Sequence, residues 1–500
     1  MVMLLDEQHA TKSASALPDT VLNWIDNCAA PARGGETLIK HNPVTGEPLC
    51  EVARSRAEDA QQAIGAARQA QAAWAAQTVV RRGEILRDAA AALKARAEEF
   101  ARIVHLETGK SMKDARGEVG AAVEMGFFIA GEGRRFYGKT TTSATPNKNA
   151  SIQRQPLGVA GLIIAANTPI ANVAWKAFPA LLCGNTAVMK PSEDTPYTAL
   201  AFAELLQEAG LPPGVFNIVQ GLGPEAGAPL VESPEVNIVS FTGSCMVGRW
   251  VARTAGERLA KVCLELGGKN PLVVCDDADM SRAVEAAALA AFSNAGQRCA
   301  AGSRILVFDS VYEQFKAAFV AKAQSLRLGN RDSDDLGPVI NERQLTNMLA
   351  AVRRAEQSGA KVLCGGRRAD GPGLRNGYFM QPTVIDAAHD AEITRSELFG
   401  PIACLYRVQD FDEAIRLAND SPYGLTASLH TRSLDRAMAW VQQVRCGVAV
   451  VNGPTHGSEP HMPFGGLRQS GNGTREAGAE ALDVYSDWKT VYVNFDPTVV

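Results

Sequence analysis

The sequence predicts an α/β fold built on parallel sheets. Continuous apolar runs of strand length recur between Val159 and Leu266, helical stretches alternate with them, and a second alternating series runs from Pro271 to Val451. Parallel strands buried on both faces read as unbroken apolar runs, and strand–helix alternation is the pattern of a doubly wound sheet. At 500 residues the chain exceeds what one core usually fills, so two or more domains are expected.

Residues 1–50 hold turn signals and one short amphipathic piece, Ala16 to Asn27, and read as an irregular lead-in. From Arg56 to Thr108 the pattern is helical, with Ile64, Ala67, Ala70 and Trp74 on one face and Ile85, Leu86, Ala89 and Leu93 on another. Gly109-Lys110 closes that region, and a further helix is predicted from Met112 to Tyr137 with Gly138 as its C-cap. Thr140 to Gln155 is polar and threonine-rich, which suits an exposed strand or an arm. Strands are then predicted at Val159–Ala166, Thr186–Met189, Val215–Val219, Asn237–Phe241 and Ala260–Leu266. The helices between them fall at Asn172–Leu182, Thr195–Ala209, Glu225–Glu232 and Met246–Ala255.

The second series has strands at Pro271–Val274, Ile305–Val307, Lys361–Leu363, Thr383–Ile385, Ile402–Tyr406 and Val448–Val451. Its helices are predicted at Arg282–Phe292, Val311–Ser325 and Glu342–Ser358. The tail, Lys489 to Phe495, alternates like a strand and has the Thr140 region or another subunit as its candidate partner.

Net charge is −4, with 46% hydrophobic and 21% charged residues, so nothing asks for nucleic acid or an anionic membrane as partner. No apolar run approaches the about 18 residues of a spanning helix, and Met1 to Glu7 lacks the pattern of a signal peptide. The ten cysteines form no CxxC pair and no zinc spacing, which fits free thiols in the cytoplasm and no metal. Of the seven histidines only His456 and His461 are close together, in a Gly/Pro-rich loop.

One cysteine stands apart. Cys299 sits in the polar segment Ser293 to Arg304, directly after Arg298, where a fixed positive charge favours the nucleophilic thiolate. Glu265 closes an apolar strand, and burial there would raise its pKa toward that of a general base working near neutrality. Asn167, after the Val159 strand, has an amide that can face a developing oxyanion; one such donor is worth ~10²–10³ in rate. Phe241-Thr242-Gly243-Ser244 puts a Gly-Ser turn before a helix, a place for an anion. Lys190-Pro191-Ser192-Glu193 ends a strand where open α/β sheets bind ligands.

Taken together, these segments resemble the aldehyde dehydrogenases that form a thioester and hydrolyse it. The resemblance spans about Asn42 to Tyr492 and includes Ala166-Asn167-Thr168-Pro169, Glu265-Leu266-Gly267-Gly268-Lys269, Gly296-Gln297-Arg298-Cys299, Glu397-Leu398-Phe399-Gly400-Pro401 and Pro463-Phe464-Gly465-Gly466. It implies an NAD-binding domain (1–137 and 156–266), a catalytic domain (267–466) and a small β oligomerisation arm (138–155 and 482–500), in a homodimer or homotetramer. Cys299 would attack the aldehyde, Asn167 and the Cys299 N–H would hold the oxyanion, and Glu265 would activate water. The dinucleotide would lie against Ile163, Ala165, Lys190, Ser192, Glu193, Gly223, Gly227, Phe241, Thr242, Gly243, Ser244, Leu266, Glu397 and Phe399. The carboxylate of Glu193 would repel a 2′-phosphate, which favours NAD over NADP.

The chain also departs from the family pattern. Ala166 and Thr168 stand where aromatic residues often flank the oxyanion asparagine, which implies a roomier or more polar pocket. Arg298 resembles members that accept carboxylated or phosphorylated aldehydes, while Phe127 and Phe128 stand where a second arginine would. His456 and His461 lie on the loop that lines the aldehyde entrance, so a polar or acidic aldehyde is the expected substrate. A CoA-acylating semialdehyde dehydrogenase would share Cys299, but that branch lacks the base placed at Glu265.

Overall fold

Five of the parallel strands form the heart of a seven-stranded sheet, in the order Lys261–Glu265, Ile238–Thr242, Val159–Ile163, Thr186–Lys190, Phe216–Ile218. In the order of their succession along the chain this reads 5-4-1-2-3, so the winding reverses between Val159–Ile163 and Ile238–Thr242. Helices leave those two neighbours toward opposite sides, and a crevice opens beyond their carboxyl ends. The computed structural model describes residues 17–498. Met1 to Glu7, His9, Ala16 and the last two residues of the arm segment lie outside the described residues.

The second sheet also has seven strands: Lys361–Cys364, Thr383–Asp386, Ile402–Val408, Gly302–Phe308, Asn270–Val274, Thr426–His430 and Val448–Val451, all parallel except the first. The tail strand Ser486–Asn494 pairs antiparallel with Lys148–Pro156, and Lys139–Thr142 completes a three-stranded arm. The Thr140 region is thus the tail's partner within one chain.

Some expectations need correction. The lead-in is not irregular: Asn23–Ile25 and Cys28–Ala30 extend the first sheet, while Thr20–Val21, Thr37–His41 and Pro48–Ala53 form a small sheet of their own. Buried Val21 and Trp24 supply the apolar contact that the turn-rich composition obscured. The helix beginning at Met112 ends at Glu132, not Tyr137, and Gly133 occupies the cap. Arg135 N bonds back to Glu132 O there, turning the chain toward the arm. Gly138 is needed elsewhere, because a side chain at it would overlap the Ile152 carbonyl. The stretch from Glu225 to Glu232 opens with a wide turn, Gly223–Gly227, before one regular helical turn, Ala228–Glu232.

Candidate active site

The crevice at the winding reversal gathers most of the expected dinucleotide residues. Ile163 is in register with both Lys190 and Phe241, and a Cβ at Gly227 would lie 3.8 Å from Lys190 and 3.9 Å from Ile163. Gly223 faces open space, and Gly243 packs so tightly on the Phe241 ring that no Cβ fits. Thr242 Oγ1 is buried without a partner, and Ser244 caps the helix Cys245–Glu257 by accepting from Val247 N. Leu266 fills the space beside Gly248. Small residues and free helical amides at a strand end make a cradle suited to a dinucleotide.

Lys190 Nζ lies 3.1 Å from Glu193 Oε2. Burial raises the Glu193 pKa, but the ammonium opposes it and the net shift is downward, so the carboxylate is charged. Ser192 Oγ accepts from Asp194 N, and Ala165 O from Asn172 Nδ2, so both residues serve the turn's own structure.

The nucleophile loop follows the helix Met280–Phe292 through three left-handed residues, Asn294, Ala295 and Gly296, at φ of 54°, 53° and 66°. Two of these are not glycine, and each such residue costs about 1–2 kcal/mol, so the surroundings must hold the loop. They do so through its carbonyls. Asn167 Nδ2 donates to Gln297 O at 3.0 Å, Asn270 Nδ2 donates to Cys299 O at 2.7 Å and Ala301 O at 2.9 Å, and Thr455 Oγ1 donates to Ala300 O at 2.6 Å. The Gln297 side chain reaches Pro338 O and Ile340 N. A Cβ at Gly268 would sit 2.6 Å from Cys299 O, so this close approach requires glycine.

Cys299 is half-buried, and its thiol is pushed up to about 12. Burial is the main cause, Glu265 and Glu397 add to it, and Arg298 offsets only a little. The expectation that Arg298 favours a standing thiolate is therefore corrected: enclosure and two carboxyl groups outweigh one guanidinium. Glu397 rests on the glycine pair, with Oε1 accepting from Gly268 N at 3.0 Å and its carboxyl filling the place of any Gly267 side chain. Burial raises its pKa to about 7. Phe399, next along, has the left-handed φ of 55°.

Both carboxyl oxygens of Glu265 are buried without a hydrogen-bond partner. Burial first, and Glu476 second, raise its pKa well above the carboxylate range, while Lys176 and Arg475 oppose this. A Cβ on Gly465 would lie 2.8 Å from Oε1, so glycine keeps room beside this carboxyl. Behind it, Lys176 Nζ pairs with Glu476 Oε1 and donates to Ser240 Oγ at 2.8 Å. Sequence reasoning missed Lys176, Glu476 and Asn270, and gave Gly465 no role beyond its place in the Pro463 motif. The lone lysine within the apolar run Pro169–Leu182 was the one available signal.

On the substrate side, Phe127 and Phe128 are half-buried against the main core. Arg298 forms no ion pair among the described residues, and its buried Nε has no partner. His456 lies nearby, with Nε2 at 3.1 Å from Ser293 Oγ and 3.2 Å from Leu289 O. Burial, then Arg298, push its pKa down to about 4, so it is neutral. His461 is not brought into this group: it is 54% exposed and 3.7 Å from Glu459. The structure thus gathers Cys299, Glu265, Asn167 and Glu397 around one point, with Arg298 and His456 at its rim.

Comparison with known proteins agrees with this geometry. A family model described as "Aldehyde dehydrogenase family" matches residues 30–491. The chain is 36% identical over 479 residues to an alpha-ketoglutaric semialdehyde dehydrogenase of Bacillus subtilis, covering 95% of this chain and 98% of that one. It is 37% identical over 482 residues to an alpha-ketoglutarate semialdehyde dehydrogenase of Haloferax volcanii, covering 96% and 100%. The crystal structure of betaine aldehyde dehydrogenase from Staphylococcus aureus in complex with NAD+ superposes with a TM-score of 0.93 at 34% identity, covering 96% of each chain.

Proposed function

The chain belongs to the aldehyde dehydrogenase family, and we propose that it oxidises a carboxylated aldehyde, a semialdehyde, to the dicarboxylate with NAD+ and water. The observation that carries the substrate class is Arg298, a guanidinium beside the nucleophile with no carboxylate partner among the described residues. A planar fork of donors without a partner suits a substrate carboxylate and disfavours a cationic tail. The two semialdehyde dehydrogenases among the relatives support this reading.

In this reading Cys299 gives up its thiol proton to solvent, and Sγ attacks the aldehyde carbon as the thiolate. The free N–H of the Asn167 amide and the Cys299 backbone N–H receive the oxyanion. A bound NAD+ would supply the acceptor for the hydride leaving that carbon. The result on the protein is a thioester at Cys299. Glu265 then takes a proton from water, the hydroxide adds to the thioester carbon, and the sulfur leaves as thiolate. Glu265 also supports hydrolysis over transfer to CoA, so activity is expected without CoA. The dinucleotide would be held by Lys190, Glu193, the Gly243-Ser244 turn and Glu397, whose glycine cradle and strand-end setting fit it.

Steady-state NADH formation across uncharged, cationic, carboxylated and phosphorylated aldehydes tests the substrate class. The highest kcat/KM is expected for a carboxylated member, and Arg298→Gln is expected to lower that value by about 10- to 100-fold while leaving uncharged aldehydes nearly unchanged. A wild-type maximum for a cationic or uncharged aldehyde would reject the proposal. For the cofactor, Glu193→Ser is expected to raise the NADP+/NAD+ selectivity by about tenfold or more. An unchanged ratio would remove Glu193 as the discriminator.

We also propose assembly through the arm. Trp488, Tyr492 and Val493 are exposed along its outer strand, and Phe495 directly after it. The helix Leu434–Gln443 exposes Leu434, Met438 and Val441 on one stripe next to the edge strand Val448–Val451. Exposed apolar stripes beside unpaired strand edges suit a second copy of the chain.

A further inference from the structure

We propose that Lys110 and Glu118 are a buried positioning pair that holds Asn167 in place as oxyanion donor, an inference that rests on the role given above to Asn167. Their side chains are only 6% and 5% exposed, and Lys110 Nζ lies 2.6 Å from Glu118 Oε2. The same ammonium donates to Asn167 O at 2.9 Å. The second carboxylate oxygen, Glu118 Oε1, accepts from Ile170 N at 3.0 Å and lies 3.5 Å from Ala171 N. One ion pair thus grips the turn from residue 167 to residue 170 at both ends.

That turn needs an outside hold. The helix Pro169–Leu182 receives no side-chain cap from Thr168, whose backbone is irregular at φ −140°, ψ 71°. Glu118 supplies the cap from another helix, placing negative charge against free amides at the positive end of the helix dipole. Burial keeps the pair from being screened by water.

The side chain of Asn167 inherits this fixation. One amide hydrogen is engaged by Gln297 O, and the contact from Asn172 Nδ2 to Oδ1 is long at 3.4 Å. The direction of the remaining N–H therefore follows the backbone of residue 167, which Lys110 and Asn294 Nδ2 hold by its carbonyl. The Gly109-Lys110 turn also meets the cysteine side of the site. Gly109 is left-handed at φ 73°, and a Cβ there would lie 2.5 Å from Pro338, whose carbonyl accepts from Gln297 Nε2 at 3.2 Å. A single turn thus abuts both halves of the oxyanion site, where a shift of about 1 Å costs ~10²-fold in rate.

A double-mutant cycle on kcat tests this. Lys110→Met is expected to lower kcat by about 10- to 100-fold, with NAD+ affinity and aldehyde KM changed less than about threefold. Asn167→Ala alone is expected to lower kcat by ~10²–10³-fold, and adding Lys110→Met to it should cause no further loss, because the donor being positioned is already gone. Glu118→Gln keeps the shape and an acceptor while removing the charge, and it carries the same test if Lys110→Met fails to fold. Multiplying losses in the double mutant would overturn the proposal, since they mark an effect independent of Asn167. Wild-type kcat in the Lys110 and Glu118 variants, with Asn167→Ala impaired, would overturn the pair alone. Wild-type kcat in Asn167→Ala would overturn the oxyanion assignment and the pair with it.

Discussion

Replacing Cys299 with alanine is expected to abolish NADH formation, a loss of about 10⁴-fold or more, while NAD+ still binds. A thioester needs a sulfur nucleophile, and Cys299 is the one thiol between Ser293 and Arg304. Its backbone carbonyl is held by Asn270 and the flanking carbonyls by Asn167, Thr455 and Asn270 again, so the truncation leaves the loop in place. Tryptophan fluorescence quenching by NAD+ with unchanged affinity, alongside absent turnover, is the expected pair of results. Turnover retained at a tenth of wild type would place the nucleophile elsewhere. The thiol pKa of about 12 adds a pH signature. The attacking thiolate is scarce in the free enzyme at neutrality, so single-turnover NADH formation is expected to accelerate as pH rises.

Glu265→Gln is expected to leave the first hydride transfer nearly intact and to slow thioester hydrolysis by about 10²–10⁴-fold. Rapid mixing should then show a burst of NADH close to one per active site, followed by a stall. The wild-type base must be deprotonated to act, and burial raises its pKa above the ordinary carboxylate value of 4.5. Deacylation should therefore rise with pH through a point above that value, and this limb should vanish in the variant. A variant that hydrolyses at the wild-type rate would assign the base to another group. A full loss of the burst would mean that Glu265 serves the first half of the reaction as well.

The strands legible in the sequence are those that bury branched apolar residues on both faces, such as Val159–Ile163 and Asn270–Val274. Thr426–His430 was not foreseen, although it lies between two parallel neighbours in the second sheet. Its Thr-Ala-Ser-Leu-His composition reads as polar; in the fold Ser428 Oγ and His430 Nε2 both find the Gly453 carbonyl, which makes their burial tolerable. The site divides the same way. Cys299, Asn167 and Glu265 carry signals in their immediate neighbours. Lys176 and Glu476 are 300 positions apart, and only the packed structure reveals that each neutralises the other. The acidity of the thiol was misjudged for the same reason: Arg298 is adjacent in sequence, whereas Glu265 and Glu397 are adjacent only in space.

The cysteine loop is fastened through the carbonyls of Gln297, Cys299, Ala300 and Ala301, by Asn167, Asn270 and Thr455 from outside the loop and by the loop's own Asn294 at Gln297 O. The side chain at position 298 takes no part in that fastening. A gene encoding this scaffold can therefore exchange arginine for another residue there without moving the sulfur. Under the substrate role proposed for Arg298, substrate preference and reaction chemistry are inherited as separable traits, and a single codon change beside the nucleophile is expected to admit a new aldehyde.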